Sequence, residues 1–317
     1  MTDNGRSPAP DASPTSLVAA LAEGVVVLDG GMSNQLEAAG HDLSDALWSA
    51  RLLADAPEAV REVHRAYFAA GAQVAITASY QAGFEGYARV GIGRREAEGL
   101  LRRSVELARE AARDADGNAA SRWVAASVGP YGAVLADGSE YRGRYGLSVA
   151  ELERFHRPRA EVLASAAPDV LALETVPDLD EAEALLRAVD GLGVPVWLSY
   201  SVADGRTRAG QPLEQAFALA AGVDQVVAVG VNCCAPEEAA EAVALAASVT
   251  GKPVVVYPNS GEGWNAQTRA WAGRPTFDAE RVGEWTGAGA RLVGGCCRVG
   301  AEQIAVLAAT LRGSAAG

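Results

Sequence analysis

"VLALETVPDLDEAEALLRAVDGLGVPVWLSY", residues 170–200, contains one complete structural period. It opens on "VLALE" (170–174), an apolar run of the kind that parallel strands covered on both faces require. In "DLDE", Asp178 and Glu181 carry the three-residue spacing that opens a helix. The helical stretch breaks at "GLG" and gives way to a second apolar run, "PVWLSY" (195–200). Strand, helix and strand in this order predict a parallel β-α-β unit.

Outward from this unit the same alternation repeats. Apolar runs precede it at "VVVLD" (25–29), "VAITA" (74–78) and "WVAAS" (123–127). Others follow at "VVAVGV" (226–231), "PVVVY" (253–257) and "RLVGG" (291–295). Helical patterns separate them. Pro57 opens one that stops at Gly71, proline and glycine taking their usual ends. Residues 94–112 form an amphipathic pattern, and Ser148 with Glu151 forms a capping box opening a helix to about 166. Pro236 and two glutamates open another, and further helices are expected at 212–221, 279–288 and 301–311. Eight strands alternating with helices predict an α/β protein with a single-domain (β/α)8 TIM barrel over residues 17–314. A doubly wound open sheet is the alternative. Residues 1–16, polar and rich in Pro, Ser and Asp, read as a disordered tail.

Composition narrows the function. The chain has 317 residues, 49% of them hydrophobic, enough for a large core. Its formal charge is −13, and Lys252 is its sole lysine. No basic run offers a footprint for nucleic acid, while an acidic surface suits a cationic small molecule. No apolar stretch is long enough to span a bilayer, and the N-terminus lacks the pattern of a secretory signal. A cytoplasmic location with reduced cysteines is therefore expected.

In a (β/α)8 barrel, chemistry gathers where the strands end. The four cysteines form two doublets, Cys233–Cys234 in "GVNCC" and Cys296–Cys297 in "GGCCR", each at the end of an expected strand. Lone free cysteines commonly pack in cores. Two doublets arriving at one barrel mouth instead suggest a shared metal ion, and soft thiolates select Zn2+. Four ligands would close a structural site, whereas three would leave a position for substrate. Cys233, first off its strand, is the favoured ligand, with Cys234 a buried neighbour. Gly294 and Gly295 would allow the kink that turns Cys296 and Cys297 to one side.

Other strand ends add candidates. Asp29, Gly30 and Gly31 follow the first run, with Asp29 either facing the mouth or capping a helix near Met32. Glu174 closes an apolar strand, where a carboxylate is costly without a partner. Tyr80, Tyr131 and Asn232 are further mouth residues, and Trp264 and Trp271 lie in the loop after the seventh run. The three histidines, His41, His64 and His156, fall in a loop and two helices. Their placement argues against a His-ligated hydrolase or a Ser-His-Asp site. "GIG" (91–93) and "GEG" (261–263) do not join a strand to a helix in the dinucleotide-binding manner.

Taken together, "LDGG" (28–31), "ITASYQA" (76–82), "SVGPYGA" (127–133), "ADGSEYRG" (136–143), "ALETVP" (172–177), "GVNC" (230–233), "VVYPNSGE" (255–262) and "GGCCR" (294–298) resemble the homocysteine S-methyltransferases. The resemblance covers about residues 25–312. "SYQA" and "GSEYRG" are closer to the branch using S-methylmethionine or S-adenosylmethionine than to the betaine-using branch. It implies a zinc enzyme that methylates the thiol of L-homocysteine to give methionine, with Cys233, Cys296 and Cys297 as ligands. It further implies that Asp29 and Glu174 take the substrate ammonium group and that amides at Gly30 and Gly31 take its carboxylate. Asn232 and Tyr80 would line the site. The residue after "NC" is not commonly cysteine in the family, so Cys234 departs from its pattern. Loops after strands 2, 3 and 7 are the candidates for donor contacts. The chain carries no cobalamin or folate module and no C-terminal oligomerisation extension after "GGCCR", and a monomer is expected. Selenohomocysteine or another small thiol as acceptor is one alternative. A non-catalytic protein whose four cysteines close a structural zinc site is another.

Overall fold

A computed structural model describes residues 15–44, 47–115, 121–265 and 270–314. Eight parallel strands make one sheet: β1 (Val26–Val27), β2 (Val74–Ile76), β3 (Trp123–Val128), β4 (Val170–Val176), β5 (Val196–Tyr200), β6 (Val226–Asn232), β7 (Val254–Tyr257) and β8 (Ala290–Val293). Their order in the sheet is β1-β8-β7-β6-β5-β4-β3-β2. A parallel bridge between Leu28 and Val74 closes β1 onto β2. The architecture is the expected (β/α)8 barrel rather than an open sheet.

The two faces of each strand bury different layers, as a period of two requires. Val26, Leu28, Val74, Trp123, Ala125, Val170, Ala172, Trp197, Ala228, Val255 and Leu292 pack inside the barrel. Val27, Ala75, Val124, Leu171, Leu173, Leu198, Val229 and Val293 face the helices. The helix Leu17–Glu23 places Leu17 and Leu21 in the inner cluster, at the end where strands begin. Ser16 caps that helix, and the Thr15 carbonyl accepts from Trp123 Nε1 at 2.9 Å, so residues 15 and 16 of the expected tail join the fold. The tail's residues 1–14 lie outside the described residues.

The helices follow their sequence signals. Pro57–Ala69 has proline in its first turn. Arg94–Asp114 buries Ala97, Leu101, Val105, Ala108 and Ala112, a stripe spaced by three and four residues. Val149–Ser165 has the full capping box of Ser148 and Glu151. Leu179–Val189 is capped by Asp178 alone, because the Glu181 side chain turns into the interior. The segment at 279–288 is a short 3-10 turn, Ala279–Arg281, followed by the helix Val282–Gly287. Gly31, not Asp29, occupies the cap position of the helix Met32–Ala38. Among the described residues, no helix is long and apolar enough to cross a membrane.

Candidate active site

Along β4 the inward positions are Val170 and Ala172, and the alternation carries Glu174 to the inner face at the mouth. The same count on β3 and β7 brings Ser127 and Tyr257 to that level. Glu174 accepts from Ser127 Oγ at Oε1 and from Tyr257 Oη at Oε2, the latter at 2.9 Å. Tyr257 Oη is in turn linked to Ser199 Oγ at 2.9 Å and accepts from Trp197 Nε1 at 3.2 Å. Burial pushes the Glu174 carboxyl up to about 7, against the pull of its two hydroxyl donors. Asp29 is also buried and accepts from the Ile76 amide at 2.8 Å through Oδ2. Its Oδ1 is buried without a hydrogen-bond partner. Desolvation, and secondarily the nearby Glu174, hold Asp29 well above the usual carboxylate range.

The thiols converge at the same mouth. Sγ atoms of Cys233, Cys296 and Cys297 all lie within 4.8 Å of one another. Cys233 and Cys297 are 3.9 Å apart, and Cys296 and Cys297 4.0 Å. Tetrahedral zinc with bonds of about 2.3 Å sets its sulfurs about 3.8 Å apart, so this spacing fits one such ion. A disulfide would need about 2 Å, and all four cysteines are free. Two hydrogen bonds from its fellow thiols hold the Cys297 thiol below its ordinary pKa, and the same sharing pushes Cys296 up. Cys234 is fully buried in the helix-facing core and does not belong to the group. Three sulfurs, not four, therefore meet.

The segment after β7 stitches the two doublets together. Cys296 N donates to Pro258 O at 2.7 Å, Cys297 N to Asn259 Oδ1 at 3.1 Å, and Asn259 N to Cys234 O at 2.9 Å. The turn at Cys233 is made by Cys233 itself, whose φ of 47° is left-handed. Gly294 and Gly295 do not have positive φ. Their lack of a side chain serves space instead: a Cβ on Gly294 would lie 2.6 Å from Leu28 Cβ, and one on Gly295 would collide with Val299. The expected hinge is thus a close approach.

Glu174, the three clustered cysteines, Tyr80, Gly30 and Gly31 all line one cavity. Tyr80 is half-buried there, its ring against Gly129, which no other residue could occupy without collision. The Gly31 amide is committed to Val299 O at 2.9 Å. Asn232 stands one layer behind the wall. It accepts from Thr175 N at 2.7 Å and Ser199 Oγ at 2.8 Å, and donates to Thr175 Oγ1 at 2.7 Å. Thr175, held this way at a φ of 58°, lines the cavity. Tyr131 belongs to an aromatic group with Tyr145 and Phe155 rather than to the cavity. The backbone pairs Trp264 with Trp271 in an antiparallel ribbon.

Comparison with known proteins decides the family. The family model described as homocysteine S-methyltransferase matches residues 26–311. The chain belongs to the homocysteine S-methyltransferase family. Among the family's curated members, Homocysteine S-methyltransferase 4 of Zea mays is 47% identical over 310 residues, covering 92% of this chain and 90% of the relative. Homocysteine S-methyltransferase of Escherichia coli K12 is 46% identical over 294 residues, covering 90% and 94%. The crystal structure of the metallated form of the Escherichia coli homocysteine methyltransferase MmuM superposes with a TM-score of 0.80 at 45% identity, covering 90% of this chain and 96% of that one.

Several residues of this family member's cavity escape a reading of its sequence. Tyr257 and Ser127, which fix Glu174, are an ordinary tyrosine and serine until barrel closure places them beside it. Tyr257 carried one usable signal, since it ends β7 just as Glu174 nears the end of β4. Trp48, Asn34, Glu140 and Tyr141 reach the cavity from loops and short helical turns, which no strand-end rule finds.

Proposed function

We propose that this chain moves a methyl group from a sulfonium donor, S-methylmethionine or S-adenosylmethionine, to the thiol of L-homocysteine, giving methionine. The observation that carries the reading is the meeting of three thiols and the buried Glu174 in one cavity, with the buried Asp29 next to it and no cationic partner for either carboxylate among the described residues. Zinc held by Cys233, Cys296 and Cys297 would supply the Lewis acidity that keeps an acceptor thiol deprotonated at neutral pH. Asp29, with its unpartnered Oδ1, and Glu174 receive the ammonium group of the acceptor, which relieves the cost of burying them. Ser127 and Tyr257 fix the Glu174 carboxylate against that charge. Amides of the helix start take the acceptor carboxylate. Gly31 N is engaged, so Gly30 and the first-turn amides of Met32 and Ser33 carry this role. Tyr80, Trp48 and Tyr141 wall the cavity and exclude water.

With the acceptor sulfur held as thiolate, its lone pair attacks the donor methyl carbon. The bond from that carbon to the sulfonium sulfur breaks and its electron pair returns to the donor as a neutral thioether. No side chain has to protonate the leaving group, which agrees with the absence of histidine from the described cavity wall. Alignment and desolvation are what the barrel contributes. The formal charge of −13 draws the cationic donor towards the protein. Outside residues 264–271, the large apolar side chains exposed among the described residues are Val18, Val90 and Val306, one to a segment, which supports a monomer.

A donor panel tests the reading. Homocysteine with S-methylmethionine, S-adenosylmethionine, betaine or methyltetrahydrofolate is scored for methionine before and after chelation and zinc return. Methionine from a sulfonium donor, lost on chelation and restored with zinc, is expected. Methionine from betaine or the folate alone, or full activity after complete metal removal, contradicts it.

A further inference from the structure

Beside Glu174 the cavity holds a second buried acid that the roles above leave unused. Glu140 lies in the 3-10 turn Ser139–Tyr141, 7% exposed, and lines the cavity with its neighbour Tyr141. Its Oε2 is buried without a hydrogen-bond partner. Burial pushes its carboxyl up to about 7, and the charges of Asp137 and Cys233 add to the rise. No ion pair reaches it among the described residues. The nearby guanidinium of Arg208, over the Tyr141 ring at 5.3 Å, is committed to Ser201 Oγ at 3.0 Å and to the Cys233 carbonyl at 3.2 Å.

The turn is held tightly against the wall. A Cβ on Gly132 would collide with the Glu140 amide nitrogen, so only glycine lets the helix Tyr131–Leu135 approach this closely. Asp137 Oδ1 accepts from Ser139 N at 2.9 Å, and Asp178 Oδ2 accepts from Arg144 N at 2.6 Å, anchoring the turn on either side. An uncompensated carboxylate on a rigid support, inside an aromatic-walled cavity, has the chemistry of a cation site.

We propose that Glu140 holds the sulfonium charge of the incoming methyl donor and sets the preference for a cationic donor over its neutral product. The inference rests on the methyl-transfer reading above. Its geometric ground is proximity to the thiols: the donor's sulfur must stand within a methyl group of the acceptor sulfur at that cluster. Glu140 lines the same cavity as Cys233, Cys296 and Cys297 with its Oε2 unpartnered, whereas Asp29 and Glu174 serve the acceptor ammonium. Loss of the sulfonium charge on transfer removes the attraction and favours release of the thioether.

The test compares wild type, Glu140→Gln and Glu140→Asp as zinc-loaded full-length protein. Expected for Glu140→Gln are a KM for S-methylmethionine raised tenfold or more and a KM for homocysteine within twofold. Zinc content should match wild type, and inhibition by methionine against the donor should stay unchanged. Glu140→Asp, which keeps the charge, should recover much of the donor KM, and it carries the comparison if the Gln variant does not fold. An unchanged donor KM in an active Glu140→Gln, or equal weakening of S-methylmethionine and methionine, overturns the proposal alone. Equal weakening would assign Glu140 to the ammonium both molecules share. A wild type that makes no methionine from any sulfonium overturns the reaction reading and this inference with it.

Discussion

Glu174 and Glu181 stand seven positions apart on one β-α unit, and burial lifts both carboxyls to about 7. Their surroundings differ. Glu181 sits behind the wall, accepting from the Tyr131 amide and, at 2.9 Å, from His156 Nε2 at Oε1, and from Tyr145 Oη at 3.1 Å at Oε2. Arg159 approaches His156 Nδ1 at 2.7 Å and also binds Gly129 O, so a guanidinium shares the network and its charge favours an ionised Glu181. That His156 proton therefore sits on Nε2, and the ring is neutral, its pKa driven down by burial and by Arg159. Glu174 meets only neutral hydroxyls, and it faces the cavity together with Glu140. A raised pKa does not separate a structural acid from a functional one; the presence of a fixed cation does.

The comparison breaks most severely at the thiols. Cys296→Ser should remove bound metal and reduce turnover by about a thousandfold or more, while leaving the Glu181 network intact. Metal analysis and methionine formation check both; a metal-free variant with full activity would separate the cluster from the chemistry. Glu174→Gln should raise the homocysteine KM by about ten- to a hundredfold, the size of one lost charged contact. Its effect on stability is expected to have a defined sign. A carboxyl raised from 4.5 to about 7 stabilises the fold below its unfolded pKa, and that contribution is lost as pH rises through the folded value. The ligand-free wild type should therefore lose stability between pH 4.5 and 7 in urea titrations, and Glu174→Gln should lose less.

Glu181→Ala sharpens the contrast from the other side. It strands Arg159 and His156 and should cost roughly 3 kcal/mol of unfolding free energy. Below its lowered melting temperature, its homocysteine KM should stay near wild type. A large KM change at unchanged stability would make Glu181 part of the site. The smallest effect belongs to Cys234→Ala. With its side chain in the helix-facing core, it should keep its metal and its activity within twofold, and metal loss there would reopen the choice between the adjacent cysteines.

The barrel and the thiol centre were legible because each rests on a strong local pattern. Apolar runs alternating with capped helices admit few folds, and four cysteines in two strand-end doublets rarely arise from packing. Glu174 was legible through its cost at the end of an apolar strand. The rest depends on long-range closure. Asn232 reads as a mouth residue, yet its amide is spent holding Thr175. Glu181 reads as half of a capping box, yet His156 from the preceding helix draws it inward. Gly294 and Gly295 read as a hinge, yet they make room for Leu28 and Val299. For Asn232, Glu181 and Gly294 the residue type was visible and its partner, 57, 25 and 266 positions away, was not.

The most direct test of the account counts sulfur atoms around the metal. X-ray absorption of the zinc-loaded protein should report three sulfur neighbours and rise to four on adding L-homocysteine. A count that stays the same when homocysteine is saturating, or four sulfurs from the protein alone, would contradict the central claim.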